Sequence, residues 1–150
     1  ANAYAALANG GKLLRPHLVS EIRAGDGSLV DSFDGEVIGR LDLSPADREF
    51  LIDSHASVAN EYGGTAYKAG FEEHWEVVGK TGTAENGRGG TDAWFACFFP
   101  RSAPKYAIVA HVDGGGDGHG GDVAAPIVRE LIEAYYQGDQ QDSSDLAMNR

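Results

Sequence analysis

One stretch of the chain joins a short apolar strand to a lysine, two threonines and a glycine: Glu76-Val77-Val78-Gly79-Lys80-Thr81-Gly82-Thr83-Ala84-Glu85. An ammonium group and two hydroxyl groups at this spacing can bind a carboxylate, and the intervening glycine lets a ligand backbone approach closely. Taken alone, residues 80–83 are also consistent with a solvated strand edge, since threonine and glycine are both common near turns. The surrounding sequence decides between these two interpretations.

The composition is that of a soluble globular domain, with 150 residues of which 42% are hydrophobic and 23% are charged. A net charge of −11 argues against nucleic acid and against an anionic membrane surface as partners. We therefore expect no nucleic-acid partner and no membrane contact by this chain. The single cysteine, Cys97, excludes an internal disulfide. Because it lies within an aromatic strand, it is predicted to be a buried, unreactive thiol.

The N-terminal half is predicted to contain a helix, a hairpin and a second helix. Residues 1–8 are alanine-rich and are followed by Asn9-Gly10-Gly11, which stops a helix. Residues 12–33 are predicted to form one β-hairpin that turns at Gly25-Asp26-Gly27. Ser44-Pro45 begins the second helix, and Gly63-Gly64 ends it. One face of that helix is predicted to be packed: Phe50, Leu51, Ser54, Val58 and Tyr62.

The C-terminal half is predicted to contain three strands and a helix. The strands are residues 75–84, 93–99 and 106–112, and the short links between them favour antiparallel neighbours. The second and third strands are apolar at nearly every position, so both of their faces are expected to be covered. A flexible connection over residues 114–121 leads to a helix over residues 123–136, with one apolar stripe: Ala124, Ile127, Val128, Leu131, Ile132 and Tyr135. Residues 139–150 are polar and are predicted to be a disordered tail, which leaves 1–138 as the folded part. This order of elements is α+β.

Five blocks of the sequence resemble, in the same order, the transpeptidase domain of penicillin-binding proteins. They are residues 2–11 with Arg15-Pro16, residues 61–66, residues 79–85, residues 92–95 with Phe98-Phe99-Pro100, and Gly120-Gly121 with residues 124–127. The third block looks like the K-T-G motif of that family. Its Thr-Ala-Glu ending and the Ala-Ala-Pro-Ile segment look more like the monofunctional (class B) branch, whereas residues 92–95 also suit the bifunctional branch. Cys97 stands where the family usually carries glycine.

The resemblance implies a fold and a set of site residues. The fold is the C-terminal part of a penicillin-binding/β-lactamase-like transpeptidase domain, an antiparallel sheet flanked by helices. Lys80 would place positive charge beside the nucleophile, and Thr81 and Thr83 would hydrogen-bond the substrate carboxylate. The backbone N–H of Thr83 would be an oxyanion donor, and Gly82 would keep the strand edge open. Lys80 and Thr83 are thus the implied catalytic residues, and all four residues bind substrate.

The implied function is that of a serine D,D-transpeptidase, which crosslinks peptidoglycan stem peptides and binds penicillin and other β-lactam antibiotics covalently. The nucleophilic serine, its lysine partner and the second motif would precede Ala1. The N-terminal part of the same domain is therefore an expected partner, and this fragment alone is expected to be inactive. No cofactor is implied. The parent protein would act at the extracytoplasmic face of the bacterial membrane, anchored by an upstream segment. A β-lactam sensor, a degenerate binding module and a purely structural fragment are the alternatives.

Other candidate sites in the sequence are given structural interpretations. Residues 102–105 match S-x-x-K in letters, but they link two strands instead of beginning a helix. Residues 57–60 have one residue too many for S-x-N. Residues 72–76 contain three glutamates and a histidine whose adjacent side chains point apart, and residues 113–122 hold one imperfect glycine–aspartate repeat, so no metal site is expected. Five aromatic residues and one histidine are expected in the core: Trp75, Trp94, Phe95, Phe98, Phe99 and a hydrogen-bonded His111.

Overall fold

The computed structural model of the protein describes residues 1–87, 89–114 and 118–148. Its helices and strands, in chain order, are α1 (Asn2–Ala8), β1 (Lys12–Leu14), β2 (Glu21–Arg23), β3 (Leu29–Ser32), β4 (Val37–Arg40), α2 (Pro45–Asn60), β5 (Val78–Glu85), β6 (Thr91–Phe99), β7 (Tyr106–Val112) and α3 (Gly120–Met148). Two short 3₁₀ helices, Tyr67–Ala69 and Glu73–Trp75, lie between α2 and β5. The order confirms the predicted α+β class.

A three-stranded antiparallel sheet forms the centre of the fold, in the order β5-β6-β7. Hairpin connections join neighbouring strands, as the short links predicted. Lys80 of β5 lies opposite Ala96 of β6, and Gly82 lies opposite Trp94. The strand β5 forms one edge of this sheet among the described residues. It therefore presents backbone groups on its free side.

Helices pack on both faces of the sheet. Phe95, Cys97 and Phe99 of β6 are buried in one cluster with Val128 and Ile132 of α3. On the opposite face, Phe98 and Val78 pack with Leu7 of α1 and Ile52 of α2. Burying a side chain of this size stabilises the fold by about 1.5–3 kcal/mol. The strand β6 is therefore covered on both faces as predicted, whereas every residue of β7 is only partly buried or exposed.

Helix α2 begins where the sequence predicted and packs through a different face. The hydroxyl of Ser44 accepts a hydrogen bond from the backbone N–H of Asp47 at 3.1 Å, and the helix ends at Asn60, shortly before Gly63-Gly64. The predicted packed face was wrong, because Phe50 is 70% exposed and Tyr62 is 93% exposed. Ile52 and Ala59 are buried instead. Apolar residues occur on several sides of this helix, so its contacts with β5, and not its own pattern, select the buried side.

The predicted hairpin over residues 12–33 was partly wrong. The strands β2 and β3 do pair around a turn, in which the N–H of Gly27 donates to the carbonyl of Ala24 at 2.9 Å. The strand β1, however, pairs with β4, a strand that the sequence analysis did not identify. Strands of three and four residues carry too few side chains to show a period, so pairing between residues distant in the chain was not visible.

Helix α3 is longer than predicted. Its backbone is helical from Gly120 to Met148, so the helix enters the segment that was predicted to be a disordered tail. Residues 149–150 lie outside the described residues. Adding residues to an existing helix costs less than starting one, because nucleation has already occurred, so even a segment rich in weak helix formers can extend it. The boundary of the folded part at residue 138 stays a prediction.

The predicted stripe on α3 is only partly buried. Ala124, Val128 and Ile132 are buried, while Ile127 is 44% exposed and Leu131 is 52% exposed. Among the described residues, none of the helices combines the length and the hydropathy needed to cross a lipid bilayer.

Two aromatic predictions need correction. Trp75 is buried as expected but belongs to a 3₁₀ helix, not to a strand, and Glu76 after it adopts a left-handed backbone with φ of 49°. Trp94 is 39% exposed and so is not a core residue. It lies in the first half of β6, outside the cluster that α1 and α2 form with this face of the sheet. Phe95, Phe98 and Phe99 are buried as predicted.

Candidate active site

The four motif residues lie along the edge strand β5, and alternate side chains point to opposite faces of the sheet. Lys80 and Gly82 share the face on which α2 packs. Thr81 and Thr83 are directed toward the other face, where each hydroxyl has a partner from outside the strand. The prediction that the four residues lie on a strand is confirmed, whereas their role as site residues stays a prediction.

Lys80 places a positive charge on this edge. Its ammonium donates to the carbonyl of Thr81 at 2.7 Å and lies 3.5 Å from the Thr81 hydroxyl. Among the described residues, no carboxylate lies within salt-bridge distance of it. Burial and, second, the charge of Lys80 lower the pKa of the neighbouring His55. The ammonium is therefore available to an anionic ligand.

His55 and Tyr4 lie together on the Lys80 side of the sheet. The two rings are 5.8 Å apart between centroids. Burial raises the pKa of Tyr4 to about 12, so its hydroxyl stays protonated. The lowered pKa of His55 favours the neutral imidazole. Neither side chain therefore competes with Lys80 as a source of charge.

The Thr81 hydroxyl is 2.7 Å from the hydroxyl of Thr65, a residue of the loop that follows α2. That loop is held against the helix, since the N–H of Ala66 donates to the carbonyl of Val58 at 3.0 Å. Gly64 is required there, because a Cβ would lie 2.5 Å from the carbonyl oxygens of Ser57 and Val58. The loop therefore brings Thr65 to the motif.

The Thr83 hydroxyl accepts a hydrogen bond from the backbone N–H of Gly120, at 3.3 Å, where α3 begins. A Cβ on Gly120 would overlap the carbonyl oxygens of Trp94 and Gly82, and a Cβ on Gly121 would overlap that of Thr65. The two glycines therefore allow the first turn of α3 to touch both β5 and the Thr65 loop. In the sequence they were noticed only as part of a resemblance, and their pairing before a helix was the available signal.

Gly82 lies between the two threonines on the face of Lys80. A Cβ there would be 3.3 Å from the Cβ of Trp94, so β5 and β6 leave little space at this position.

An open groove of about 380 Å³ runs between the end of α2 and β5, lined in part by Thr65 and Lys80. A larger groove of about 680 Å³ is lined by none of the four motif residues. We place the site at the smaller groove because it carries the free charge.

The two serine segments that mimic catalytic motifs do not form a site. Ser102 lies in the turn between β6 and β7, and its N–H donates to the carboxylate of Glu76 at 2.7 Å. As predicted, residues 102–105 link two strands and do not begin a helix. Ser57 lies within α2, and its hydroxyl donates to the carbonyl of Ser54 at 2.9 Å.

The remaining predicted side chains are also placed. Cys97 is fully buried, as predicted, and burial raises the pKa of its thiol to about 12. His111 is hydrogen-bonded to Asp92 at 3.3 Å but is not a core residue, since its side chain is 38% exposed and stacks on Trp94. Within the part of the chain that the structure describes, no three metal-ligating side chains come together. Asp117, which belongs to the glycine–aspartate segment over residues 113–122, lies outside the described residues.

Comparisons of the sequence and the structure with known proteins give matches to one family. The family model of the penicillin binding protein transpeptidase domain matches residues 1–133. The peptidoglycan D,D-transpeptidase PbpA of Mycobacterium tuberculosis is 34% identical over 149 residues, covering 93% of this chain and 29% of PbpA. The D,D-transpeptidase MrdA of Haemophilus influenzae is 28% identical over 152 residues, covering 90% of this chain and 23% of MrdA. A solved penicillin G acyl-enzyme complex of M. tuberculosis penicillin-binding protein A has a TM-score of 0.74 at 31% identity, covering 90% of this chain and 30% of that one.

The antiparallel sheet, the helices on both of its faces and the Lys-Thr-Gly-Thr edge strand place the chain in the class of proteins that carry the K-T-G motif of penicillin-binding proteins. The chain belongs to the penicillin-binding protein transpeptidase domain family. PbpA and MrdA are class B proteins, which agrees with the branch that the third and fifth sequence blocks favoured. The chain spans 29% of the length of PbpA and 23% of that of MrdA.

Proposed function

We propose that this chain supplies the substrate clamp and the oxyanion strand of a serine D,D-transpeptidase that crosslinks peptidoglycan stem peptides. The observation that carries the proposal is the edge of β5, where two oriented hydroxyls and one ammonium that forms no salt bridge with the described residues lie within four consecutive positions. The relatives named as peptidoglycan D,D-transpeptidases and the penicillin G acyl-enzyme of a similar structure support it.

The clamp binds the terminal carboxylate of a stem peptide, or the carboxylate of a β-lactam. The Lys80 ammonium supplies a charge-assisted interaction, and Thr81 and Thr83 supply hydroxyl donors. A peptide that lies along β5 pairs with its free backbone groups, in the manner of an added strand. Gly82 leaves the strand without a side chain at the point of closest approach.

The oxyanion strand acts on the carbonyl that is attacked. We assign the backbone N–H of Thr83 as one of two donors to the oxygen that becomes negatively charged in the tetrahedral intermediate. The nucleophilic serine, its lysine partner and the second-motif serine come from the N-terminal part of the same domain. This chain alone is therefore inactive, and it completes the site only within the whole protein.

We also propose that the whole protein acts outside the cytoplasmic membrane, where peptidoglycan is assembled. The relatives named as peptidoglycan transpeptidases support this placement. A segment upstream of this chain would anchor the protein to the membrane.

The test is mass spectrometry of the complete protein after exposure to penicillin G. We expect a covalent adduct on a serine outside this chain. Lys80→Ala should slow its formation at least about tenfold, since a hydrogen bond to a charged group contributes about 1.5–3 kcal/mol. Lys105→Ala is the matched control, because this exposed lysine lies in the turn between β6 and β7. It should leave the rate unchanged.

Two results would contradict the proposal. Absence of any adduct would favour a degenerate binding module, which keeps the clamp without turnover. An adduct on Ser102, lost in the Lys105→Ala variant, would mean that the turn and not the edge strand holds the reactive residues.

A further inference from the structure

We propose that Thr65 is a positioning residue of the carboxylate clamp. Its hydroxyl donates to the Thr81 hydroxyl and thereby keeps the Thr81 proton free for the carboxylate of the substrate. This inference rests on the proposed function, because it concerns how the same clamp is oriented. Thr65 acts through Thr81 and does not itself touch the reacting atoms.

The contact between the two hydroxyls is short and joins distant parts of the chain. Thr65 Oγ1 and Thr81 Oγ1 are 2.7 Å apart and 16 positions apart in the sequence. This is the usual distance for a hydrogen bond between two hydroxyls. Either oxygen is able to donate, so the direction of this bond is decided by the other partners of the two residues.

Those partners limit what each threonine of the clamp does with its proton. A hydroxyl has one proton to donate and two lone pairs to accept with. Gly120 N–H donates to Thr83, which leaves the Thr83 proton available. Lys80 lies 3.5 Å from Thr81 Oγ1 and also only donates. Among the described residues, the bond to Thr65 is therefore the one contact that is able to accept the proton of Thr81.

The arrival of a carboxylate selects one direction for that bond. A carboxylate only accepts hydrogen bonds, so it is bound by a Thr81 hydroxyl that donates to it. If Thr81 donated to Thr65 instead, it would turn lone pairs toward the carboxylate and repel it. The productive arrangement is donation from Thr65 to Thr81 and from Thr81 to the substrate.

The backbone around Thr65 keeps its hydroxyl in place. Gly64 packs against the last turns of α2, and the carbonyl of Thr65 lies against Gly121 so closely that a Cβ on Gly121 would overlap it. Ala66, the next residue, is fully buried, and its backbone N–H donates a hydrogen bond to the carbonyl of Val58. The loop is thus fixed on both sides, which is what a residue that orients another hydroxyl requires.

The test compares Thr65→Val with Thr65→Ser in the complete protein. The rate constant of acylation is measured with penicillin G and with its methyl ester, in which the carboxylate is masked. We expect Thr65→Val to slow acylation by penicillin G about five- to tenfold, the usual effect of losing one hydrogen bond. The rate with the methyl ester should not change. Thr65→Ser retains the hydroxyl and should stay within about twofold of the unmodified protein with both reagents.

Each other result overturns a defined part of the reasoning. An unchanged penicillin G rate in Thr65→Val, or an equal loss with both reagents, would show that Thr65 does not act through the carboxylate. A Thr65→Ser variant as slow as Thr65→Val would assign the effect to packing of the loop. Failure of penicillin G to acylate the unmodified protein would overturn the proposed function and this inference with it. If Thr65→Val lowers the melting temperature, Thr65→Ala replaces it, because it removes the hydroxyl without putting a methyl group in its place.

Discussion

Substitution of Gly79 by alanine should destabilise the fold, because the added methyl group has no room. Its Cβ would lie 2.6 Å from Cζ of Phe95, 2.8 Å from Cβ of Cys97 and 2.9 Å from the carbonyl oxygen of Ala96. Carbon atoms pack at about 3.5–4.0 Å, so these neighbours would have to move by roughly 1 Å. Phe95 and Cys97 are fully buried, so the surrounding side chains leave no space into which they could shift. Overpacking of this kind costs about 1–3 kcal/mol.

The assay is thermal unfolding of the complete protein together with its rate of acylation by penicillin G. A loss of 1–3 kcal/mol lowers the melting temperature by roughly 2–12 °C, at about 2–4 °C per kcal/mol for a domain of 150–250 residues. Gly138→Ala is the matched control within α3, since a Cβ there meets nothing within 4 Å. Alanine in place of a helical glycine should stabilise by up to about 1 kcal/mol.

Gly82→Ala separates packing from catalysis on the same strand. The added Cβ would lie 3.3 Å from the Cβ of Trp94. Because Trp94 is partly exposed, its side chain can shift, and the free energy of unfolding should change by less than about 1 kcal/mol. Acylation should still fall at least roughly tenfold, because even a 1 Å misplacement of the ligand is costly to the rate. A Gly79→Ala protein that melts like the unmodified one, or a Gly82→Ala protein destabilised as strongly as Gly79→Ala, would refute this account of β5.

Three further predictions concern single side chains. Native Cys97 should react with iodoacetamide at least about a hundredfold more slowly than in the denatured protein, because burial raises its pKa to about 12 and only the thiolate reacts; equal rates would contradict this. Burial and then the charge of Lys80 lower the pKa of His55, so stability should be complete above its ordinary value of 6.5 and should fall as pH drops through the lower folded value. His55→Gln should flatten that dependence in thermal melts, and an unaltered pH profile would assign it to other groups. Ser44→Ala should cost about 1 kcal/mol in unfolding free energy, since its hydroxyl accepts from Asp47 N–H; no loss would mean that the cap is replaced.

Local signals in the sequence were sufficient for most of the central fold. The three long strands, their antiparallel order and the start of α2 followed from apolar runs, short links and a serine–proline cap. Such features depend on residues close together in the chain, so they are visible without a structure. The pairing of β1 with β4 was not visible, because it joins Lys12 to Arg40 through strands too short to show a period.

The side on which an element packs was harder to predict than the element itself. Helix α2 has apolar residues on several sides, and the contact with β5 buries Ile52 and Ala59 while leaving Phe50 exposed. Trp94 is a large aromatic residue of the kind usually found in a core, but it lies outside the part of its sheet face that α1 and α2 cover. Both errors arise because burial depends on which neighbours arrive, and hydrophobicity alone does not specify the neighbours.

The sequence by itself determined which chemical groups make up the proposed site: Lys80, Thr81, Gly82 and Thr83 lie on one strand, in a chain that resembles one family. Only the tertiary structure decided how that chemistry is oriented. The loop after α2 brings Thr65 to Thr81, and the glycine pair at the start of α3 brings Gly120 N–H to Thr83. A motif within four residues is encoded by adjacent positions. Hydrogen bonds that span 16 and 37 positions exist only once helices and sheet have packed, because packing alone sets those distances.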